Sequence, residues 1–187
     1  DVEKRQGSHN VNCGKPPQKV VSEQSDHPID ATSADDSQSI WLYRIYHNSV
    51  VDGPGRRIVI QVAGCSIRCP GCYVPESPTR QNGRLVPTPP IVDEINQNFP
   101  QHAGVTNSHA EPFDQPGPLA EIVYQLRRLG IHITVYSGNT IATLLKQGNA
   151  NIHYILTHID LLIDGPFIQS LTHNAGEYRG SQNQRLI

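Results

Sequence analysis

The sequence predicts an α/β fold: a mostly parallel sheet forming a partial, open barrel, preceded by a flexible N-terminal arm. Three observations carry this reading. From residue 40 onward, short β-branched runs alternate with segments of helical apolar spacing, which is the pattern of a parallel sheet. At 187 residues the chain is too short for a closed eight-fold barrel, which takes about 250. Residues 1–39 contain no aromatic residue and are rich in Asp, Ser, Gln, Asn and Lys. Such a segment buries too little apolar surface to offset its ordering entropy. The expected division is an arm over 1–39 and a folded domain over 40–187, with His9 and Cys13 as ordinary residues of the arm.

The elements follow in order. Ile40 to Ile45 reads as a first strand, and Val50 to Gly55 as a turn-rich loop. Arg57 to Val62 alternates and is β-branched, the mark of a strand. Gly64 to Glu76 is a cysteine loop, and Asn82-Gly83 a turn. Ile91 to Phe99 has helical spacing and stops at Pro100; Gly104 to Asn107 is a short strand. Leu119, Ile122, Val123, Leu126 and Leu129 fall on one face of a helix, with Gly130 as its C-cap. Ile131 to Tyr136 is a strand, Thr140 to Lys146 a short helix followed by Gly148, and Leu161 to Asp164 a last strand ended by Gly165-Pro166.

Charge is nearly balanced, with 15 Lys and Arg against 17 Asp and Glu. There is no global attraction to nucleic acid or anionic lipid. No apolar run approaches the roughly 20 residues that cross a bilayer, and no basic-then-apolar start reads as a secretory signal. The chain begins with Asp1 and contains no Met, so it reads as processed or truncated at this end.

Four cysteines could form two disulfides, but three of them lie within eight residues, and a disulfide framework spreads its staples. The expected compartment is therefore reducing and cytoplasmic. Cys65-Ser66-Ile67-Arg68-Cys69-Pro70-Gly71-Cys72 follows directly on a strand. Three thiolates on one tight loop suit three corners of a cubane iron–sulfur cluster and leave the fourth iron open. A structural zinc site asks for four ligands, and no second Cys pair or loop His supplies the fourth. Zinc and unligated redox thiols remain the competing readings of these residues.

The loop resembles the cluster loop of radical S-adenosylmethionine enzymes, and the likeness extends further. Val51-Asp52-Gly53-Pro54-Gly55-Arg56-Arg57, Glu111-Pro112-Phe113, Val135-Tyr136-Ser137-Gly138, Asp164-Gly165-Pro166-Phe167 and the run from Arg179 to Arg185 occur in the order found in small activating proteins. Those proteins are similar to the anaerobic ribonucleotide reductase activating enzyme. The resemblance covers about residues 40 to 187. It implies a radical-SAM-type partial barrel with a 4Fe-4S cluster on Cys65, Cys69 and Cys72, and S-adenosyl-L-methionine as second cofactor. It further implies reductive cleavage of that cofactor to a 5′-deoxyadenosyl radical that activates a glycyl-radical enzyme. The electron donor would be a flavodoxin or ferredoxin, and neither nucleic acid nor membrane is an expected partner.

Further site residues come with the resemblance. Tyr73 is expected beside the adenine or as a loop anchor, while Gly71 offers only backbone there. Ser108-His109-Ala110-Glu111-Pro112 falls where the family carries Gly-Gly-Glu-Pro, whose glycines let the backbone approach the methionine part of the cofactor. His109 and Ala110 replace both glycines and are expected to weaken binding. Glu111 is expected near the cofactor ammonium, and Ser137 near its ribose or carboxylate. The Arg179 to Arg185 run reads as a substrate or partner contact or as a clasp over the sheet. Arg56 and Arg57 read as salt-bridge or partner residues. Two functions fit the sequence: a radical-generating activating enzyme, or a degenerate, non-catalytic iron–sulfur binding or redox module that binds S-adenosylmethionine poorly. A zinc-stabilised interaction protein is a third.

Overall fold

The computed structural model describes residues 38–76 and 79–187. The arm expected over residues 1–39 lies outside the described residues, with His9 and Cys13, except for Gln38 and Ser39. These two already belong to the folded unit, since Thr88 N donates to Gln38 O.

Strand β1 (Ser39–Ser49) turns back antiparallel onto β2 (Arg57–Val62), with Ile45 opposite Ile60. The edge strand β3 (Arg84–Pro87) pairs antiparallel with β1. Helix α1 (Thr88–Asn98) leads to β4 (Gly104–Ser108), and α2 (Pro116–Arg128) to β5 (Ile133–Ser137). Then come α3 (Ile141–Lys146), α4 (Ala150–His158), β6 (Leu161–Asp164) and β7 (Arg185–Leu186). The sheet order is β3-β1-β2-β4-β5-β6-β7. Strands β2, β4, β5 and β6 are parallel neighbours, and antiparallel strands flank them. The sheet is therefore mixed α/β, mostly parallel and unclosed, as expected.

Period-two alternation gives the sheet two different faces. Ile58, Ile60, Val62, Val105, Ile133, Val135 and Leu162 pack in the hydrophobic core with Leu119, Ile122, Val123 and Leu126 of α2 and Ile152 and Ile155 of α4. The intervening residues, among them Arg57, Gln61, Thr106, Ser108, Thr134 and Tyr136, bond to one another or line a cavity on the other face. Helix α2 ends in a Schellman arrangement: Gly130 sits at φ +70°, Gly130 N donates to Arg127 O and Ile131 N to Leu126 O. Leu129 is the C-cap rather than part of the apolar face and is 44% exposed. Three elements were not anticipated: β3, α4 and β7.

Arg57 is fully buried and corrects the salt-bridge reading. Its donors meet only neutral acceptors: Thr106 Oγ1 at 3.0 Å, Thr134 Oγ1 at 2.9 Å, Val105 O at 2.6 Å, Pro54 O at 3.3 Å and His132 Nδ1 at 3.2 Å. Burial lowers its pKa to about 10. Gly104 is required beneath it, since a Cβ there would collide with the guanidinium. Arg57 thus pins β2, β4 and β5 together.

Candidate functional site

The ends of β2, β4 and β5 converge on one cavity of about 670 Å³, within the size range of small-molecule pockets. Cys65, Cys69 and Cys72 all line it, and all three are half-buried and unbridged. The cysteine loop is held from below. Asp114 accepts from Ser66 N at 2.7 Å and from Ser66 Oγ at 2.8 Å. Ile67 packs against Gly138, where a Cβ would approach Ile67 Cγ1 to 2.9 Å. Arg68 and Gly71 turn the loop through positive φ, at +52° and +71°.

Burial raises the Cys65 thiol, and backbone N–H groups of Arg68 and Ile67 oppose that rise by hydrogen bonding to the sulfur. Among the described residues, no three His, Cys, Asp or Glu side chains gather as ligands of one metal ion. A cubane cluster makes no such demand, because each thiolate takes a different iron. Three free thiols aimed into one cavity fit that group, whereas a mononuclear zinc site would need them to converge.

His109 and Ala110 both stand at positive φ, +60° and +49°. The backbone therefore keeps a conformation suited to glycine while carrying side chains, a cost of about 1 kcal/mol or more for each. The His109 ring lines the cavity. Arg44 Nε donates to Gln61 Oε1 at 2.7 Å, which turns the Gln61 amide nitrogen toward His109 Nδ1 at 2.6 Å. Ser108 Oγ also lies 2.8 Å from Nδ1. With Nδ1 accepting, the ring proton sits on Nε2. Burial keeps His109 below its ordinary pKa, so the ring is neutral near pH 7.

Glu111 is fully buried behind this wall rather than in the cavity. Its carboxylate accepts from Ser137 Oγ at 3.0 and 3.1 Å, Gly138 N at 2.8 Å and Phe113 N at 3.1 Å. It joins the end of β4 to the end of β5. Burial nevertheless raises its pKa to about 7, against those hydrogen bonds. Ser108 and Ser137 line the cavity. Tyr73 stands at the mouth, 67% exposed, its ring centroid 4.8 Å from that of Phe167. Gly71 lies on the outer side of the loop against Gln169.

Sequence reasoning did not single out Asp52 or Tyr136 as cavity residues, and it offered Arg179 only as part of a run that contacts a substrate or partner or clasps the sheet. Asp52 accepts from Tyr46 OH at 2.8 Å and Ser49 Oγ at 2.5 Å. Tyr136 OH donates to Tyr178 O at 2.6 Å.

Residues 51–187 match the family described as 4Fe-4S single cluster domain. The chain belongs to that family. Among relatives, the anaerobic ribonucleoside-triphosphate reductase-activating protein of Haemophilus influenzae is 32% identical over 146 residues, covering 74% of this chain and 92% of the relative. The protein of the same description from Salmonella typhi is 31% identical over 151 residues, covering 76% and 94%. The pyruvate formate-lyase-activating enzyme of Clostridium pasteurianum is 28% identical over 126 residues, covering 65% and 50%. Among solved structures, QueE from Escherichia coli overlaps 55% of this chain and 53% of its own at a TM-score of 0.45 and 12% identity. The expected kinship with the small activating proteins holds, and the matched family is one that carries a single 4Fe-4S cluster. No helix among the described residues is long and apolar enough to cross a membrane.

Proposed function

We propose that the chain holds a 4Fe-4S cluster on Cys65, Cys69 and Cys72, cleaves S-adenosylmethionine reductively and so activates a glycyl-radical enzyme. The observation that carries this reading is that all three cysteines face a single cavity with space left beyond them. A cluster held by Cys65, Cys69 and Cys72 would supply the one electron, drawn from a flavodoxin or ferredoxin, that reductive cleavage of S-adenosylmethionine to methionine and a 5′-deoxyadenosyl radical requires, and that radical would take a hydrogen atom from a glycine of the partner.

The chain's own residues bind and orient. The cysteine loop supplies three thiolates and is fixed by Asp114. Ser108, His109 and Ser137 present hydrogen-bonding groups on the sheet side of the cavity. Glu111 holds the ends of β4 and β5 in register, which makes it a positioning residue for Ser137. Tyr73 and Phe167 form an aromatic rim that suits a purine face. The folded unit that does this runs from about residue 38 to 187, with the preceding arm dispensable for it.

The non-catalytic module is favoured by one observation: the His109 ring stands in the cavity where glycine would leave space. Anaerobic incubation of reconstituted protein with S-adenosylmethionine and a strong reductant separates the two. The enzyme forms 5′-deoxyadenosine and methionine in equal amounts. A full cluster with no cleavage supports the module and overturns the activity.

A further inference from the structure

The run from Arg179 to Arg185 divides into two parts by geometry. Gln184 accepts from Gly180 N at 2.8 Å and Ser181 N at 3.2 Å, and donates to Gly165 O at 3.0 Å. Asn183 donates to Pro166 O at 2.7 Å. Arg185 bonds the fully buried Asp164 through Nε at 2.8 Å and Nη2 at 2.5 Å. These three residues clamp the C-terminal segment onto the end of β6.

Arg179 does none of this. It lines the cavity shared by the three cysteines, His109 and Ser137. Among the described residues its one hydrogen bond is long, Nη1 to Gln184 O at 3.4 Å. Its Nε is buried and lacks an acceptor. Among the described residues it forms no ion pair with a carboxylate. The backbone beside it is fixed, because Tyr178 stands at φ +61° and its carbonyl accepts from Tyr136 OH.

A guanidinium stays charged at any working pH, and leaving a buried N–H unbonded is unfavourable. The segment is therefore built to hold a cation whose acceptor comes from outside the chain. The planar fork of Arg matches a carboxylate. S-adenosylmethionine carries one carboxylate, on its methionine portion. We propose that Arg179 is a cofactor-binding residue that takes this carboxylate. The proposal rests on the cofactor reading above and adds a site residue to it.

The test is an anaerobic equilibrium titration of cluster-loaded wild type, Arg179→Lys and Arg179→Gln. Each is titrated with S-adenosylmethionine and with its decarboxylated analogue. Iron content and melting temperature show whether each variant keeps its cluster and fold. Arg179→Gln is expected to weaken S-adenosylmethionine at least tenfold and Arg179→Lys less, while the decarboxylated analogue binds all three proteins alike. Equal affinity of all three for S-adenosylmethionine overturns the proposal and leaves the cofactor reading intact. An equal loss for both compounds also overturns it, because that marks a structural role. A cluster-loaded wild type that binds neither compound overturns the cofactor reading itself, and with it the role of Arg179.

Discussion

Replacing Glu111 by Gln removes a buried titrating group while keeping its shape. Glu111 is fully buried, and burial raises its pKa from 4.5 to about 7. The Phe113 and Gly138 amides and the Ser137 hydroxyl pull the other way but do not overcome it. The folded pKa lies above the unfolded one, so between pH 4.5 and 7 the folded chain holds a proton that the unfolded chain has lost. Stability from this group is full below pH 4.5, declines as pH rises and is lost above 7. A rise of this size corresponds to about 3 kcal/mol, at about 1.4 kcal/mol per pH unit. Glu111→Gln carries a constant cost, because its amide NH₂ faces N–H donors, but no pH dependence from this site. The stability of the variant relative to wild type should therefore improve by about 3 kcal/mol between pH 4.5 and 8. Urea unfolding of the cluster-free, reduced chain across that range measures it without the protons that ligation releases. A gap between the two proteins that stays constant across the range would show that Glu111 is ionised throughout, and that its three donors outweigh burial.

Other outcomes follow from the same geometry. Cys69→Ala should abolish the cluster, taking iron from about four per chain to near none on anaerobic reconstitution, whereas Cys13→Ala should retain it; iron analysis and the visible spectrum decide. The double change His109→Gly and Ala110→Gly removes the ring from the cavity and relieves two left-handed side-chain positions. It should tighten S-adenosylmethionine by about tenfold, equivalent to about 1.4 kcal/mol, and equal affinity in a titration of both proteins would show that the pair does not limit binding. Arg57→Ala strands the Val105 carbonyl and the Thr134 hydroxyl in the interior and leaves Thr106 Oγ1 with only its bond to Asp52 O. It should cost about 3 kcal/mol or more, seen as a fall in melting temperature on the order of 10 °C; a fall of only 1 or 2 °C would mean that Arg57 is no pin.

The parts of this molecule that were legible in sequence are those governed by local pattern. β2, β4, β6 and the middle of α2 follow from β-branched runs or helical spacing, and Gly130 took the left-handed cap that its position called for. Elements set by distant pairing were not legible. β7 is two residues, Arg185 and Leu186, whose strand character comes entirely from Asp164 and Ile163 on β6. β3 is a four-residue edge strand that begins with Arg84 and ends in Pro87. α4 had a readable signal, an Asn149 N-cap followed by Ile152 and Ile155, but its polar neighbours and Gly148 masked the spacing.

The site divides in the same way. The cysteine loop and the segment from Ser108 to Glu111 stood out because their residue types are unusual in tight spacing. Their orientation did not: Glu111 faces β5 because Ser137 and Gly138 lie beside it across the sheet. Asp52, Tyr136 and Arg179 come from three distant segments and meet only once the sheet curves around the cavity.

The central claim is that three cysteines hold a cluster with one iron left open to S-adenosylmethionine. Mössbauer spectroscopy of anaerobic, iron-57-reconstituted protein, recorded with and without S-adenosylmethionine, tests it most directly. One of the four iron sites should change its isomer shift on addition of the cofactor while the other three stay as they were. A spectrum identical in the two samples, or a protein that takes up stoichiometric zinc and no iron, would contradict the account.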